Sequence, residues 1–120
     1  MEFIYDDQNI FAKILRGEIP NRTVYENDFA LAFEDIAPQA PVHVLVIPKG
    51  AYMSLDHFAR DASAEEQVGF FQAVAEVCRI SGLEDGFRGV SNTRVHGVQD
   101  VPHYHMHILG GRPLGRMLAD

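Results

Sequence analysis

Three histidines stand at alternating positions near the C-terminal end of the chain, at His103, His105 and His107. Successive side chains of a β-strand point to opposite faces of the sheet, so a strand here would place all three imidazoles on one face. Imidazole titrates near neutral pH and can act as a nucleophile, base, acid or metal ligand. Because stacked imidazoles are costly to bury and repel one another when protonated, the spacing predicts a catalytic or ligand-binding site.

The residues that alternate with these histidines, Tyr104, Met106 and Ile108, would lie on the opposite face of the strand and belong to the core. A fourth histidine, His43, is the only polar residue in the apolar run over residues 42–47. Such a run favours a strand that is covered on both faces. A buried histidine needs a hydrogen-bonding partner, and the three later histidines are the candidates.

The chain has 120 residues, the size of one domain with a substantial core, and we expect a single domain over residues 1–120. It lacks the run of about 20 apolar residues that spans a membrane, and its first residues are acidic, unlike a secretion signal. We therefore expect a soluble cytoplasmic protein whose single cysteine, Cys78, stays reduced. The net charge of −7 disfavours non-specific binding to nucleic acid but leaves recognition of a single nucleotide open.

Local signals predict the elements that must position these histidines. A short amphipathic helix is predicted over residues 9–16, where Asn9 is a good N-cap. Strands are predicted at residues 23–26 and 29–33, joined by a hairpin turn. Two prolines in residues 37–41 keep the chain extended before the strand that carries the fourth histidine.

A long helix is predicted to begin after Ser63, which forms a capping box with Glu66, and to end at Gly82. Its apolar residues fall into two stripes, one of Val68, Phe71, Ala75 and Cys78 and a second of Phe70, Val74 and Val77. So wide an apolar surface favours contact with both the core and a partner subunit.

The remaining segments complete the expected sheet. Residues 86–92 predict a strand, residues 93–97 a loop, and residues 98–102 lead into the histidine strand. Residues 112–120 have no periodicity and are expected to be irregular. Short turns between strands favour a mostly antiparallel sheet of about five strands carrying two helices, which is an α+β fold.

The chain resembles the histidine triad (HIT) superfamily, whose motif is His-x-His-x-His followed by apolar residues, and more closely its Hint branch of nucleotide-binding phosphoramidases. The third triad position is His107, whereas the nucleotidyltransferase branch has glutamine there. The continuation Gly110–Leu114 resembles prokaryotic Hint proteins. The likeness covers nearly the whole chain and is carried by Ile10, Phe11, Lys13, Ile14, Gly17, Glu18, Ile19, Pro20, Leu31, Ala32, Phe33, Asp35, Ile36, Pro38, Gln39, Ala40, Pro41, His43, Ile47, Pro48, Asn92, Thr93, Gln99 and residues 103–113.

The resemblance implies an enzyme that hydrolyses the P–N bond of purine nucleoside phosphoramidates, such as adenosine 5′-phosphoramidate or aminoacyl-AMP-type substrates. His105 would attack the phosphorus and form a covalent nucleotidyl-histidine intermediate. His107 would lie nearest the proton that the leaving amine needs, while His43 and His103 tune charge and move protons. The resemblance also implies a homodimer with a ten-stranded sheet and catalysis without a metal. We expect no other cofactor, and the composition indicates that neither a membrane nor a nucleic acid polymer is a partner.

The resemblance assigns the nucleotide to three groups of residues. Asp35 matches the position that binds the ribose hydroxyls. The base pocket matches Ile10, Phe11, Phe33, Ile36 and Leu45. The phosphate cradle matches Asn92, Gln99 and the backbone of Asp100 and Val101.

Two residues depart from the family pattern near the phosphate cradle. Val98 stands where the family has glycine, and a β-branched residue would strain a backbone that requires positive φ. Pro102 removes a backbone donor close to the triad.

Two other functions stay open on the residues alone. Two histidines of the triad together with His43 have the ligand pattern of a three-histidine zinc site, which would make the protein a zinc-dependent hydrolase. The same pocket could also bind a nucleotide without turning it over, as a non-catalytic nucleotide sensor.

Overall fold

A computed structural model describes residues 1–118 of the chain, and its elements follow the local signals of the sequence closely. The helices are α1 (Ile10–Leu15), α2 (Leu55–Asp61), α3 (Ala64–Ile80) and α4 (Arg94–Gly97), and the strands are β1 (Thr23–Glu26), β2 (Ala30–Glu34), β3 (Val42–Pro48), β4 (Phe87–Val90) and β5 (Met106–Gly110). Strands pair antiparallel throughout, in the order β1-β2-β3-β5-β4. The predicted α+β fold is confirmed.

The turn between β1 and β2 shows how side-chain chemistry positions the sheet. The Asn27 side-chain oxygen accepts hydrogen bonds from the backbone N–H groups of Phe29 and Ala30. This arrangement closes the predicted hairpin. The Asn27 amide nitrogen also donates to the carbonyl of Gly69 at 2.9 Å, which fastens the hairpin to α3.

Strand β3 lies at the centre of the sheet and is buried on both faces, as its continuous apolar run predicts. On one face Val44 and Val46 belong to the same core cluster as Phe70 of α3. On the other face Leu45 and Ile47 pack with the apolar side chains of α1. Helix α3 therefore covers one face of the sheet and α1 covers the other.

Helix α3 begins with the predicted capping box, in which Ser63 and Glu66 each bind the other's backbone N–H. In one stripe Phe70 and Val77 are fully buried, and Val74 is half-buried against the same core. In the other stripe Val68 and Phe71 are exposed, whereas Cys78 packs against the core. The first stripe therefore supplies most of the core contact.

Three predictions of secondary structure were wrong in detail. Helix α2 was not predicted, because its seven residues are too few to show a helical period. A single helical turn, α4, replaces the predicted loop over residues 93–97. The strand expected to reach residue 92 ends at Val90, where pairing between β4 and β5 stops.

The C-terminal tail agrees with its prediction as far as residue 118, since residues 111–118 form neither helix nor strand. Ala119 and Asp120, which that prediction also included, lie outside the described residues. No helix within the described part of the chain is both long and apolar enough to cross a membrane.

Candidate active site

His43 and His107 meet across the two central strands, on the face that α1 covers. Leu45 of β3 pairs with His107 of β5, and His43 lies two residues from Leu45 on the same face. Nε2 of His43 lies 2.9 Å from Nδ1 of His107. The expectation that the buried His43 finds its partner among the later histidines is confirmed.

The hydrogen bonds around this pair fix where its protons lie. The backbone N–H of Gln39 donates to Nδ1 of His43, so a neutral His43 carries its hydrogen on Nε2 and donates it to His107. Since Nδ1 of His107 then accepts, its own hydrogen stands on Nε2. Burial, followed by the neighbouring imidazoles, lowers the pKa of His107 to about 4. His107 is therefore neutral near pH 7 and presents an N–H donor from its Nε2.

His105 is buried, and its ring is oriented by the backbone. Its Nδ1 lies 2.7 Å from the carbonyl oxygen of His103, to which it donates. Because the hydrogen stands on Nδ1, the lone pair is left on Nε2. The ring packs edge-on against Phe11 and lies 5.1 Å from the ring of His107, centre to centre. Burial lowers the pKa of His105, which keeps this nitrogen unprotonated.

Neither His103 nor His105 lies on the strand, which corrects the expectation of three imidazoles along one strand face, since only His107 does. Strand β5 begins only at Met106. Pairing cannot continue to the end of β3, because Pro48 has no N–H and its carbonyl accepts from Nε2 of His103 at 2.8 Å. The His103 ring is fully buried, and burial lowers its pKa to about 4. Tyr104 and Ile108 are in the core as predicted, and Met106 packs against it.

The residues assigned to the base and ribose lie beside these histidines. Phe11, Phe33 and Leu45 form a buried apolar cluster with side chains of α1. Ile10 and Ile36 are exposed, Ile36 to 98%. An Oδ2 atom of Asp35 lies 3.4 Å from Nε2 of His43. A cleft of about 570 Å³ is lined by Ile14, Pro20, Asn21, Arg22, Phe33, Glu34, Asp35, Ile36 and Pro38, of which the sequence assigned only Phe33, Asp35 and Ile36 to the nucleotide.

The residues assigned to the phosphate lie on the loop that includes α4. The amide nitrogen of Gln99 donates to the carbonyls of Met53 and Val101, and its oxygen accepts from the backbone N–H of Arg94. In this conformation the Gln99 side chain stabilises the loop through hydrogen bonds to its backbone and to Met53. A direct contact between this side chain and a phosphate stays a prediction. Val101 packs against the apolar cluster of α1. Asn92 is half-buried.

Asp100 is exposed, and its carboxylate favours protonation of both His105 and His107 through its charge. Asp35 acts on the same two imidazoles in the same direction. These charges oppose the effect of burial, which is the larger one at both histidines. The imidazoles of His105 and His107 are thus neutral and lie within the electrostatic influence of Asp35 and Asp100.

Three side chains of this site form a set that could bind a metal ion. Ligand atoms of Asp35, His43 and His107 lie within 4.8 Å of one another. The zinc alternative raised by the sequence assigns the ligands to His43 and two histidines of the triad. Within residues 1–118, the structure instead groups one triad histidine with His43 and a carboxylate.

Sequence reasoning missed Tyr5, whose hydroxyl oxygen lies 2.6 Å from Nδ1 of His103. The two residues are separated by 98 positions along the chain. No spacing or periodicity links a tyrosine in an irregular N-terminal segment to a histidine in the triad. The carbonyl of Pro48 was also missed, because a backbone acceptor has no sequence signal.

Known proteins resemble this chain along nearly its whole length, and residues 16–114 match the family described as HIT domain. A purine nucleoside phosphoramidase of Escherichia coli (strain K12) is 45% identical over 117 residues, covering 94% of this chain and 95% of that protein. A 14 kDa zinc-binding protein of Zea mays is 46% identical over 114 residues, covering 91% of this chain and 86% of that protein. The crystal structure of a HIT family hydrolase from Legionella pneumophila Philadelphia 1 has a TM-score of 0.81 at 39% identity, covering 88% of this chain and 95% of that one.

The strain expected at Val98 is present, since this residue has φ 55° and ψ 57° at the C-terminal end of α4. A left-handed conformation costs an L-residue about 1–2 kcal/mol, and glycine avoids it. After allowing for the greater entropy of glycine in the unfolded chain, we expect Val98→Gly to raise the free energy of unfolding by about 0.5–1 kcal/mol. Urea unfolding measures this change. Val95→Gly, inside α4, is the control and should lower it, whereas a loss of stability in Val98→Gly would contradict the assignment.

The depressed pKa values of His103 and His107 make stability depend on pH. Both are about 4 in the folded chain, below the usual 6.5 or so. Between these values the unfolded chain binds more protons, so the free energy of unfolding falls as the pH falls through this window. For the fully buried His103 the loss is about 3 kcal/mol. Urea unfolding at several pH values should show a shallower slope in His103→Gln, while His96→Gln, which removes an exposed histidine, should keep the wild-type slope.

Proposed function

The chain belongs to the histidine triad (HIT) family of hydrolases, and from this premise we propose that it cleaves the P–N bond of purine nucleoside phosphoramidates. The observation that carries the proposal is the state of His105. Its Nδ1–H is held by the carbonyl of His103, so Nε2 offers a lone pair in a buried site. A neutral imidazole held in this way is a good nucleophile near pH 7.

In the first step, Nε2 of His105 attacks the phosphorus and the P–N bond breaks. The product is a nucleotidyl-histidine, and the nitrogen leaves with the electron pair of the broken bond. Water then attacks the same phosphorus and gives up a proton, which returns to the pair of His43 and His107. This step releases the nucleoside monophosphate and restores the lone pair on His105. Each step transfers the nucleotidyl group once, and no oxidant or reductant takes part.

The leaving amine needs a proton, and the pair of His43 and His107 is placed to supply it. Nε2–H of His107 is the free donor of this pair, since Nδ1 of His107 is occupied by His43. An anionic phosphate beside the pair would favour its protonated form, so the pair can take up one additional proton when substrate binds. We assign the delivery of that proton to His107, with His43 sharing the positive charge.

We assign the nucleoside to the face of the sheet that α1 covers. The apolar cluster of Phe11, Phe33 and Leu45 offers a surface for a purine, with Ile10 and Ile36 at its exposed edge. Asp35, next to His43, is assigned to the ribose hydroxyls. We assign the phosphate to Asn92, Gln99 and the backbone amides of Asp100 and Val101, because amide donors bind an anion without adding charge.

We also propose that the chain works as a cytoplasmic homodimer. Helix α3 leaves Val68 and Phe71 exposed on one apolar surface. Strand β4 is an edge of the sheet, and Phe87 on it is 47% exposed. Pairing of two such edges would give a ten-stranded sheet and cover surfaces that a monomer exposes to water. The single cysteine, Cys78, fits a reducing compartment.

Zinc-dependent hydrolysis is the second candidate. The nitrogen and oxygen donors of Asp35, His43 and His107 are ligands that zinc accepts, and a relative carries the name zinc-binding protein. A metal held there would polarise a phosphoryl oxygen or activate water. The two histidines already share a hydrogen bond at 2.9 Å, which favours the metal-free site.

We expect His105→Ala to lower kcat for adenosine 5′-phosphoramidate by about a thousandfold or more, because the covalent nucleophile is lost. Binding of AMP and the folded structure should be largely retained. Mass spectrometry of the wild type after rapid quenching should detect a nucleotidyl adduct that the variant lacks. His96→Ala, which removes an exposed imidazole of α4, serves as the control and should remain active. More than about a tenth of the wild-type rate in His105→Ala would rule out the nucleophile assignment.

The same assay separates the candidate functions. Exhaustive treatment with a chelator should leave the rate unchanged if His105 is the nucleophile. A metal-free protein that is inactive and regains activity with zinc would decide for the zinc enzyme. A protein that binds AMP without an adduct or turnover would be a nucleotide sensor.

Sedimentation at micromolar concentration should give a species of twice the chain mass. Phe71→Glu places a charge on the exposed apolar surface of α3 and should shift this species toward monomer. Gln72→Glu adds the same charge at a neighbouring exposed polar position and should leave the dimer intact. A wild-type protein that is monomeric throughout this range would contradict the proposed dimer.

A further inference from the structure

The N-terminal segment, residues 1–9, packs beside the triad and brings Tyr5 to it. Phe3 stacks on the ring of His57 with centroids 4.3 Å apart, and the guanidinium of Arg60 lies 4.5 Å from the Phe3 ring centre. At the other end of the segment, the Asn9 side chain caps α1 by accepting from the N–H of Ala12. Tyr5 lies between these two anchors, half-buried, with its hydroxyl directed at His103.

The hydrogen bonds around Tyr5 determine which atom is the donor and which is the acceptor in each contact. With Oδ1 of Asn9 used as the helix cap, the Asn9 amide nitrogen donates to the Tyr5 oxygen at 3.0 Å and to the carbonyl of Asp6 at 2.7 Å. Both amide hydrogens are therefore used. The Tyr5 oxygen accepts from Asn9, so its own hydrogen is free to go to Nδ1 of His103. Burial raises the pKa of Tyr5, which keeps that hydrogen in place.

The tautomer of His103 also requires Tyr5 to be the donor in their hydrogen bond. A backbone carbonyl can only accept, so Nε2 of His103 must carry the hydrogen that bonds to Pro48. Nδ1 of the neutral ring is then a bare acceptor inside the protein and needs a donor. The Tyr5 hydroxyl is that donor, at 2.6 Å.

We propose that Tyr5 is a positioning residue for His105, acting through His103. By fixing the tautomer and place of the His103 ring, it holds the His103 backbone carbonyl, which keeps the hydrogen of His105 on Nδ1. The inference rests on the proposed function only in calling His105 the nucleophile. The path from Asn9 through Tyr5 and His103 to His105 is a statement about hydrogen bonds and can be tested without substrate.

Loss of the Tyr5 hydroxyl leaves Nδ1 of His103 buried without a donor. The ring can then move its hydrogen to Nδ1, which gives up the bond to Pro48, or it can shift toward water. Both outcomes displace residue 103, and its carbonyl is the acceptor for His105. The nucleotide contacts assigned above do not involve Tyr5, so catalysis should suffer more than binding.

The test uses full-length protein labelled with ¹⁵N-histidine, whose imidazole tautomers are read from ¹H–¹⁵N correlation spectra. In the wild type, His103 should show an unprotonated Nδ1 and a protonated Nε2, and His105 the reverse. In Tyr5→Phe, the His103 signals should move and the His105 signals should shift or broaden. With adenosine 5′-phosphoramidate, kcat should fall about tenfold while KM changes less than about twofold.

Two further variants make the result specific. Tyr52→Phe removes another part-buried phenol, one that donates to Glu66, and should leave the spectra of His103 and His105 and the kcat unchanged. Asn9→Asp keeps the helix cap, but its carboxylate only accepts and so competes for the hydrogen of Tyr5. It should disturb the His103 signals in the same way as Tyr5→Phe, and it supplies the test if Tyr5→Phe fails to fold.

Unchanged His103 tautomer signals in Tyr5→Phe, or in Asn9→Asp if the first variant does not fold, would overturn the proposal. A lower kcat with the spectra of both histidines unchanged would do the same. If the wild type hydrolyses no phosphoramidate, the proposed function fails while the spectra still decide the role of Tyr5.

Discussion

The ring of His103 is fully buried, and each of its two nitrogens is held by a different part of the chain. Pro48, at the end of β3, accepts from one nitrogen, and Tyr5, in the N-terminal segment, binds the other. A buried polar group without a partner costs about 1–3 kcal/mol, so the contact of both segments with this ring stabilises the fold. The carbonyl of the same residue then orients His105. Stability and the geometry of the site therefore depend on one set of hydrogen bonds.

In the central strands, the side chains that form the larger core and those that form the candidate site lie on opposite faces of the sheet. On the α3 face, aromatic rings of Phe58, Phe70 and Tyr104 pack together with Ile108 in one core cluster. On the α1 face, the neighbouring residue His107 contacts a second histidine. The alternation of a strand allows this arrangement, because adjacent residues point to opposite faces. The polar site is thus built without a polar group of the triad entering the larger core.

The features predicted well from the sequence are local ones. The hairpin at Asn27 and the capping box at Ser63 depend on contacts between residues two or three positions apart, and both occur as expected. Burial alone predicted that His43 would contact one of the three later histidines, because a buried imidazole requires a partner, and the structure identifies that partner as His107. The strand was expected to include His103 and His105 because alternation cannot show that Pro48 ends the pairing. The role of Tyr5 depends on a contact across almost the entire sequence and could not be inferred from any local pattern.

The position of β5 also has a consequence for how the protein is made. This strand is the last of the described strands along the chain, yet it lies inside the sheet, between β3 and β4. On a ribosome, β3 and β4 are synthesised before the strand that joins them, so β3 can pair only with β2, and β4 has no partner strand until residue 110 has left the exit tunnel. Such non-local pairing slows folding, because a long loop must close before the contacts form. The sheet is therefore completed by the strand that carries His107, and a nascent chain has no assembled active site.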